Sequence, residues 1–223
     1  MTRKLFIQAI AKFLLGLVLI GLLLFLPAGT MRFWNAWLFL GILFVPMFVA
    51  GIVMMCKNPA LLKKRLNAKE EESEQKAVLV LSGIMFLAAF VVAGLNYRFQ
   101  WIVLPAWAVW VGTGVFLTAY LMYAEVLREN TYLSRTIEVQ ENQKVVDTGL
   151  YGIVRHPMYS ATLFLFLSMG IVLGSPISFL ILLCYIPIIA LRIKNEEKVL
   201  EEGLAGYKEY KTRVKYKVIP FIW

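Results

Sequence analysis

Three stretches of this 223-residue chain concentrate side chains able to bind or react. The first is Gly149-Leu150-Tyr151-Gly152-Ile153-Val154-Arg155-His156-Pro157-Met158-Tyr159. The second is Arg192 with Asn195-Glu196-Glu197. The third is the tail carrying Leu200, Leu204, Tyr207, Tyr210 and Val214 and closed by Pro220. Proline is favoured as the first residue of a helix, so Arg155 and His156 stand just ahead of a predicted helix start. A cation next to a helix amino end suits a carboxylate. Glu196 or Glu197 suits an ammonium or a pair of hydroxyls. The tail positions share one face of a helix, which predicts packing onto the core rather than contact with a substrate. The single histidine and the two cysteines, Cys56 and Cys184, have no metal-ligand spacing, so neither a metal site nor a disulfide framework is expected.

Apolar blocks must position these groups. Residues are 60% apolar, with a mean hydropathy of +0.72, against roughly 45–50% apolar in soluble domains. The excess sits in blocks long enough to cross a hydrocarbon layer of about 30 Å, which takes about 20 helical residues. Span 1 covers 5–26, closed by Pro27. Its length exceeds a signal-peptide core and no small-x-small cleavage site follows, so it is expected to be retained. Lys12 lies near its charged end, where the ammonium can reach the interface. Span 2 covers 34–55, with Trp34 and Trp37 at the interface. The polar stretch 57–76, with Lys63-Lys64-Arg65 and Glu70-Glu71-Glu72, predicts a solvated loop or short surface helix. Spans 3 and 4 cover 77–95 and 102–123, the latter able to run on to 129. The segment 130–156 is the longest polar one, with weak alternation at Thr136-Ile137-Glu138-Val139-Gln140 and with Gly149 and Gly152 breaking any helix.

From 159 to 193 the chain is apolar for 35 residues, too long for one span, and is interrupted by Gly174-Ser175-Pro176. Glycine and proline both end helices, so two spans are expected, folded as a hairpin. That hairpin brings Arg155-His156-Pro157 and Glu196-Glu197 to one membrane surface despite about 40 intervening residues. Six spans place twenty lysines and arginines on one side and two, Arg32 and Arg98, on the other. The excess marks the cytoplasmic side, with both termini and all 14 carboxylates there. The net charge of +9 therefore reads as topology and attraction to anionic headgroups rather than a nucleic-acid surface. The expected fold is an all-α polytopic membrane bundle. Residues 1–129 form a four-helix region, and 130–223 supply a connector, the helical hairpin and a cytoplasmic amphipathic C-terminal helix.

The pattern Gly-x-Tyr-x-x-x-Arg-His-Pro-x-Tyr, an apolar hairpin, Glu-Glu, then Gly-x-x-Tyr-x-x-Tyr and a final proline resembles the isoprenylcysteine carboxyl methyltransferase family and the related phospholipid N-methyltransferases. Asn130-x-Tyr132-x-Ser134 and the run 138–146 are also similar to its bacterial and archaeal members. The resemblance covers about 130–223, while 1–125 match only as generic spans. It implies an S-adenosylmethionine pocket: Arg155, His156 and the helix start at Pro157 for the cofactor carboxylate, Glu196 or Glu197 for its ammonium or ribose, Val145, Val146, Gly149 and Tyr151 for adenine, and Tyr159 to close the pocket. Arg155 and Glu197 are the residues expected to carry catalysis, Arg155 by orienting a carboxylate, and no general base is named.

The expected reaction is in-line transfer of a methyl group to a lipophilic acceptor: an isoprenylcysteine-like carboxylate, a phospholipid amine or a small lipophilic molecule. The C-terminal segment Ile219-Pro220-Phe221-Ile222-Trp223 carries no prenylation cysteine, which casts the chain as enzyme rather than substrate. NADPH-dependent membrane sterol reductases have a similar Arg-His-Pro…Glu…Tyr tail, but they are longer and have more spans. A lipid-binding adaptor leaves the constellation around the hairpin without a purpose. A transporter calls for mid-membrane polar groups and repeats, and the sequence has neither.

Overall fold

The computed structural model describes residues 3–57, 59–66, 73–133 and 139–223, and those residues form helices and connections without a strand. Glu70-Glu71-Glu72, Ser134 and Thr136-Ile137-Glu138 lie outside the described residues. The helices are α1 Arg3–Ala28, α2 Trp34–Lys57, α3 Pro59–Leu66, α4 Ser73–Phe99, α5 Ala106–Glu129, α6 Pro157–Val172, α7 Pro176–Leu182, α8 Tyr185–Gly203 and α9 Tyr207–Arg213. Among the described residues five stretches are long and apolar enough to cross a membrane: α1, α2, α4, α5 and the Pro176–Gly203 stretch formed by α7 and α8. Their outward faces expose Leu15, Leu26, Trp107 and Leu121. Only lipid makes such surfaces tolerable. The chain is an integral membrane protein.

α6 is the shorter apolar helix, 16 residues and about 24 Å long. It is apolar around most of its circumference, as a central helix must be. Tyr159, Leu163, Met169 and Val172 are all buried in the core cluster. α5 runs along α6, α1 along α4, and α7 packs on both α4 and α6.

The chain turns at Gly174-Ser175-Pro176, between α6 and α7. Gly174 adopts φ +69°, the Ser175 hydroxyl accepts from the Ser178 N–H at 3.2 Å, and Pro176 opens α7. Polar side chains tie this turn to the N-terminal helices. The Asn35 amide donates to the Val172 carbonyl at 2.9 Å, and Ser178 Oγ donates to the Ala89 carbonyl at 2.8 Å. Asn96 donates to the carbonyls of Ile102 and Gly174 at 2.9 and 3.3 Å.

Several boundaries differ from expectation for local reasons. α1 runs through Pro27 and stops at Gly29, φ +67°, a left-handed cap that the proline two residues earlier does not supply. α5 starts at Ala106 rather than 102, since Ile102 spends both backbone groups on Asn96. The stretch at 57–76 does hold a short helix, α3, one of the two forms expected for it, and its last carbonyl, that of Leu66, accepts from the Lys12 ammonium at 2.6 Å. Gly149–Gly152 form one 3₁₀ turn rather than open loop. The second apolar half of the 159–193 run breaks into α7 and α8, because Pro187 has no N–H and its ring crowds the carbonyl of residue 183. The tail face is split as well: α8 ends at Gly203, and Gly206, φ +83°, redirects the chain into α9. Leu204, Tyr207, Tyr210 and Val214 still cluster, with Val139, Val145 and Leu200 against them.

The closeness of α6 and α7 makes a glycine comparison informative. A Cβ on Gly170 would overlap the backbone of Phe179, whereas one on Gly83 meets nothing. Gly170→Ala is expected to lower stability by about 1–3 kcal/mol, and Gly83→Ala to be neutral or to stabilise by up to about 1 kcal/mol. Thermal unfolding of the two purified variants checks this.

Candidate active site

The Arg-His-Pro segment is held by the C-terminal tail. The backbone N–H groups of Arg155 and His156 donate to the carbonyls of Tyr216 and Lys217 at 2.9 and 2.8 Å. One turn into α6, Ser160 Oγ donates to the Val218 carbonyl at 2.6 Å, and from α9 the Tyr210 hydroxyl donates to the Tyr151 carbonyl at 2.7 Å. Pro157 is the first residue of α6 and His156 its N-cap.

Arg155 and Glu197 are both buried and meet at 2.8 Å, Nε to Oε1. The guanidinium also donates through Nη1 to the carbonyls of Val214 and Lys215 at 2.7 and 2.8 Å. The same Glu197 oxygen lies 3.3 Å from His156 Nε2, and the other oxygen lies 3.1 Å from Lys217 Nζ. Removing one partner of such a pair strands a buried charge.

Glu196, one residue earlier, faces elsewhere, because successive helical residues point about 100° apart. Its carboxylate accepts from the Tyr159 hydroxyl at 2.6 Å, and that hydroxyl accepts from Arg192 Nε at 2.8 Å. These three groups line a narrow cleft of about 100 Å³. Val145, Val146, Leu200 and Leu204 give it an apolar wall, and Tyr151, Tyr207 and Tyr210 a phenolic one. The Tyr207 oxygen is buried and has no hydrogen-bond partner among the described residues. Burial first, and then the negative Glu197 and Glu196, push the Tyr207 phenol far above its ordinary value, so it stays an O–H donor. Burial acts on Tyr151 and Tyr210 in the same direction.

Of the predicted site residues, Val145, Val146, Tyr151, Arg155, His156, Tyr159 and Glu196 line the cleft, while Gly149, Pro157 and Glu197 do not. Gly149 adopts φ +51° and carries the Glu129 carboxylate on the spot a Cβ would need, so its role is the turn. Pro157 starts the helix behind the lining. Glu197 lies beneath Arg155 and His156, which places it in the support of the cleft rather than on its surface. Arg155 spends its Nε and Nη1 donors within the protein, so its geometry fits tying down the tail better than gripping a ligand carboxylate. Tyr207 and Tyr210 pack the tail as predicted, and they also line the cleft, which the sequence argument had not anticipated.

Further lining comes from Asn130, Tyr132, Leu133, Gln143, Lys144 and Met158. Asn130 donates to the Tyr151 hydroxyl at 2.9 Å and accepts from the Tyr132 N–H at 3.0 Å. The pair Asn130-x-Tyr132 was visible in the sequence as part of the family-like pattern. Gln143 and Lys144 fall in the run 138–146 that belongs to the same pattern, and Leu133 and Met158 carried no signal of their own.

Residues 101–205 match the phospholipid methyltransferase family. The matched stretch, just under half of the chain, is similar to a methyltransferase family, and the described residues include five membrane-length helices. The matched stretch begins earlier than the resemblance at 130–223 and takes in α5. It stops before Tyr207, so the phospholipid methyltransferase match leaves out the α9 wall and the tail that binds Arg155. Comparison with curated proteins gives no significant match.

Arg155→Ala is expected to cost about 3–5 kcal/mol, the usual penalty for orphaning a buried ion partner. It should also release the 214–223 tail, so that limited trypsin digestion cuts at Lys215 and Lys217 well before the wild-type chain is touched. Denaturant unfolding and mass mapping of the fragments read the two effects.

Proposed function

We propose that the chain transfers a methyl group from S-adenosylmethionine to a lipophilic acceptor: an isoprenylcysteine-like carboxylate, a phospholipid amine or a small lipophilic molecule. The observation that carries the proposal is the cleft itself. The Glu196 carboxylate and an apolar wall of Val145 and Val146, all within the stretch that matches the family, face the unpartnered Tyr207 hydroxyl just beyond it.

The chemistry of this lining suits the cofactor. A buried hydroxyl without a partner costs about 1–3 kcal/mol, and a ligand acceptor atom relieves that cost. Glu196 can accept from an ammonium or from ribose hydroxyls. Tyr207 supplies a donor, and the valines with Leu200 and Leu204 make an apolar slot. The cleft is smaller than the 300–1,000 Å³ usual for small-molecule sites, so binding must part its walls. One wall, around Val145 and Val146, is connection rather than helix and can yield. When bound, S-adenosylmethionine supplies an electrophilic methyl carried by a sulfonium, with a neutral thioether as leaving group.

The protein's own contribution is orientation and exclusion of water by the bilayer and the buried lining. Arg155 and Glu197 act as positioning residues: they fix the tail, and the tail fixes Tyr207 and Tyr210. A carboxylate acceptor is already ionised at neutral pH, and its transfer needs no proton removal. In the membrane we place six spans, with α6 and the α7–α8 stretch as a hairpin, both termini and the cleft on the cytoplasmic side, and α9 as the amphipathic end. The lysine and arginine asymmetry supports this arrangement. Residues 130–223 then carry the cofactor region and 1–129 its membrane scaffold.

Titration of the purified chain with S-adenosylmethionine and with NADPH tests the assignment. Binding of the first and not the second is expected. Tyr207→Phe should weaken S-adenosylmethionine about 2–10-fold, the worth of one neutral hydrogen bond, and Glu196→Gln about 10-fold or more, since that bond involves a charge. Unchanged affinity in both variants rules out the pocket as described. Transfer of radiolabelled methyl to a lipid extract then identifies the acceptor.

A further inference from the structure

A second cleft, of about 540 Å³, opens on the opposite face of α8. It is lined by Lys194, Lys198, Lys208, Lys211 and Lys217 together with Glu197, Glu201 and Glu202. Five ammonium groups thus face three carboxylates, and one of these, Glu197, is already matched by the buried Arg155. Lys211 pairs with Glu201 at 2.5 Å, and Lys217 with Glu197 at 3.1 Å. Lys194, Lys198 and Lys208 are exposed and have no ion pair among the described residues. The bend at Gly206 brings Lys208 on α9 back against Lys194 and Lys198 on α8, concentrating charge that would otherwise spread. Such a cleft focuses a positive field and favours an anion.

The surface leading into the cleft identifies the anion's carrier. Cys184, Pro187, Leu191, Lys194 and Lys198 follow one another at spacings of three and four along the helix and are all exposed. They therefore form a single stripe, apolar for its first part and cationic at its end. Ile193, the last buried core residue of α8, marks where the apolar section stops. A surface that is apolar along the membrane-facing length of a helix and turns to lysine where the helix leaves the core has the polarity of one phospholipid, tails below and phosphate above.

We propose that the Lys194–Lys198–Lys208 cleft binds the phosphate of an anionic phospholipid whose acyl chains lie along Pro187 and Leu191. The site is separate from the methyl-transfer cleft, which uses Arg192, Glu196 and Leu200 on the other face of α8, and it stands whether or not S-adenosylmethionine is the methyl donor. It does connect to that cleft through Glu197, whose two oxygens join Arg155 and His156 on one side to Lys217 on the other.

The test titrates the whole chain in neutral detergent with dihexanoyl-phosphatidylglycerol, dihexanoyl-phosphatidylcholine and inorganic phosphate, followed by calorimetry. The phosphatidylglycerol is expected to bind at least about tenfold more tightly than the phosphatidylcholine, and Lys194→Gln alone to cut that preference about fivefold, the effect of one lysine near an anionic headgroup. The combined Lys194→Gln, Lys198→Gln, Lys208→Gln variant should abolish it, with thermal unfolding run alongside to show that the chain remains folded. Lys57→Gln with Lys76→Gln, which removes exposed charge elsewhere, should leave it intact. Equal loss in that control, or no lysine-dependent preference at all, overturns the site. Inorganic phosphate binding as tightly as the lipid, with the same lysine dependence, overturns the lipid as carrier and assigns the cleft to a soluble phosphate compound.

Discussion

Arg155 and Glu197 stand 42 residues apart in sequence and touch inside the fold, buried from solvent. Taking two such charges out of water costs several kcal/mol each, and only good geometry with further hydrogen bonds offsets the cost. The structure supplies both: two tail carbonyls for the guanidinium, and the imidazole and the Lys217 ammonium for the carboxylate. The pair therefore forms only when the start of α6, the end of α8 and the tail have all arrived. It makes the turn at Gly174-Ser175-Pro176 and the docking of the tail conditional on each other. A tail displaced from Arg155 would leave a buried cation short of acceptors, and α9 would lose its place beside Tyr151.

Adjacent acidic residues divide the labour that follows. Glu197 turns inward and is consumed by the scaffold, while Glu196 turns about 100° away and meets the cleft. Tyr159 and Ser160 split in the same manner at the start of α6, the first toward Glu196 and Arg192, the second toward the tail at Val218. A cleft built this way is rigid on its floor, where ion pairs and backbone bonds converge. On the side of Val145 and Val146 the chain is connection rather than helix. That asymmetry suits a site that has to admit a bulky cofactor and then hold it.

Much of this was legible in the sequence because it depends on spacing and on strong punctuation. Gly-Ser-Pro inside a long apolar run marks a break between two helices, and Arg155 and His156 before it do meet Glu196 and Glu197 beyond it. What escaped depends on partners that spacing does not name. The donors of Arg155 look free on paper, and only the tail's return shows two of them spent on Val214 and Lys215. Gly149 looks like a ligand-approach glycine, but it serves a left-handed turn under the Glu129 carboxylate. Tyr207 sits on the packing face predicted for it, yet its hydroxyl is left over, which periodicity cannot reveal. The break before Tyr185 was in plain view as Pro187 but was submerged in the hydrophobicity around it.

α8 shows why a helix at a membrane surface can carry several tasks without conflict. Its buried face, with Ile189, Ile193 and Glu197, belongs to the core and ends in the ion pair. Its second face presents Arg192, Glu196 and Leu200 to the narrow cleft. Its third runs from Pro187 and Leu191 into Lys194 and Lys198, toward lipid and then headgroup. The third face lies more than about 100° from the other two and shares little side-chain volume with them, so it can be tuned almost independently. Glu197 is the exception, because its two oxygens belong to different neighbourhoods: Arg155 and His156 hold one, Lys217 and Lys211 approach the other. One buried carboxylate is therefore shared between the floor of the narrow cleft and the wall of the lysine-lined one.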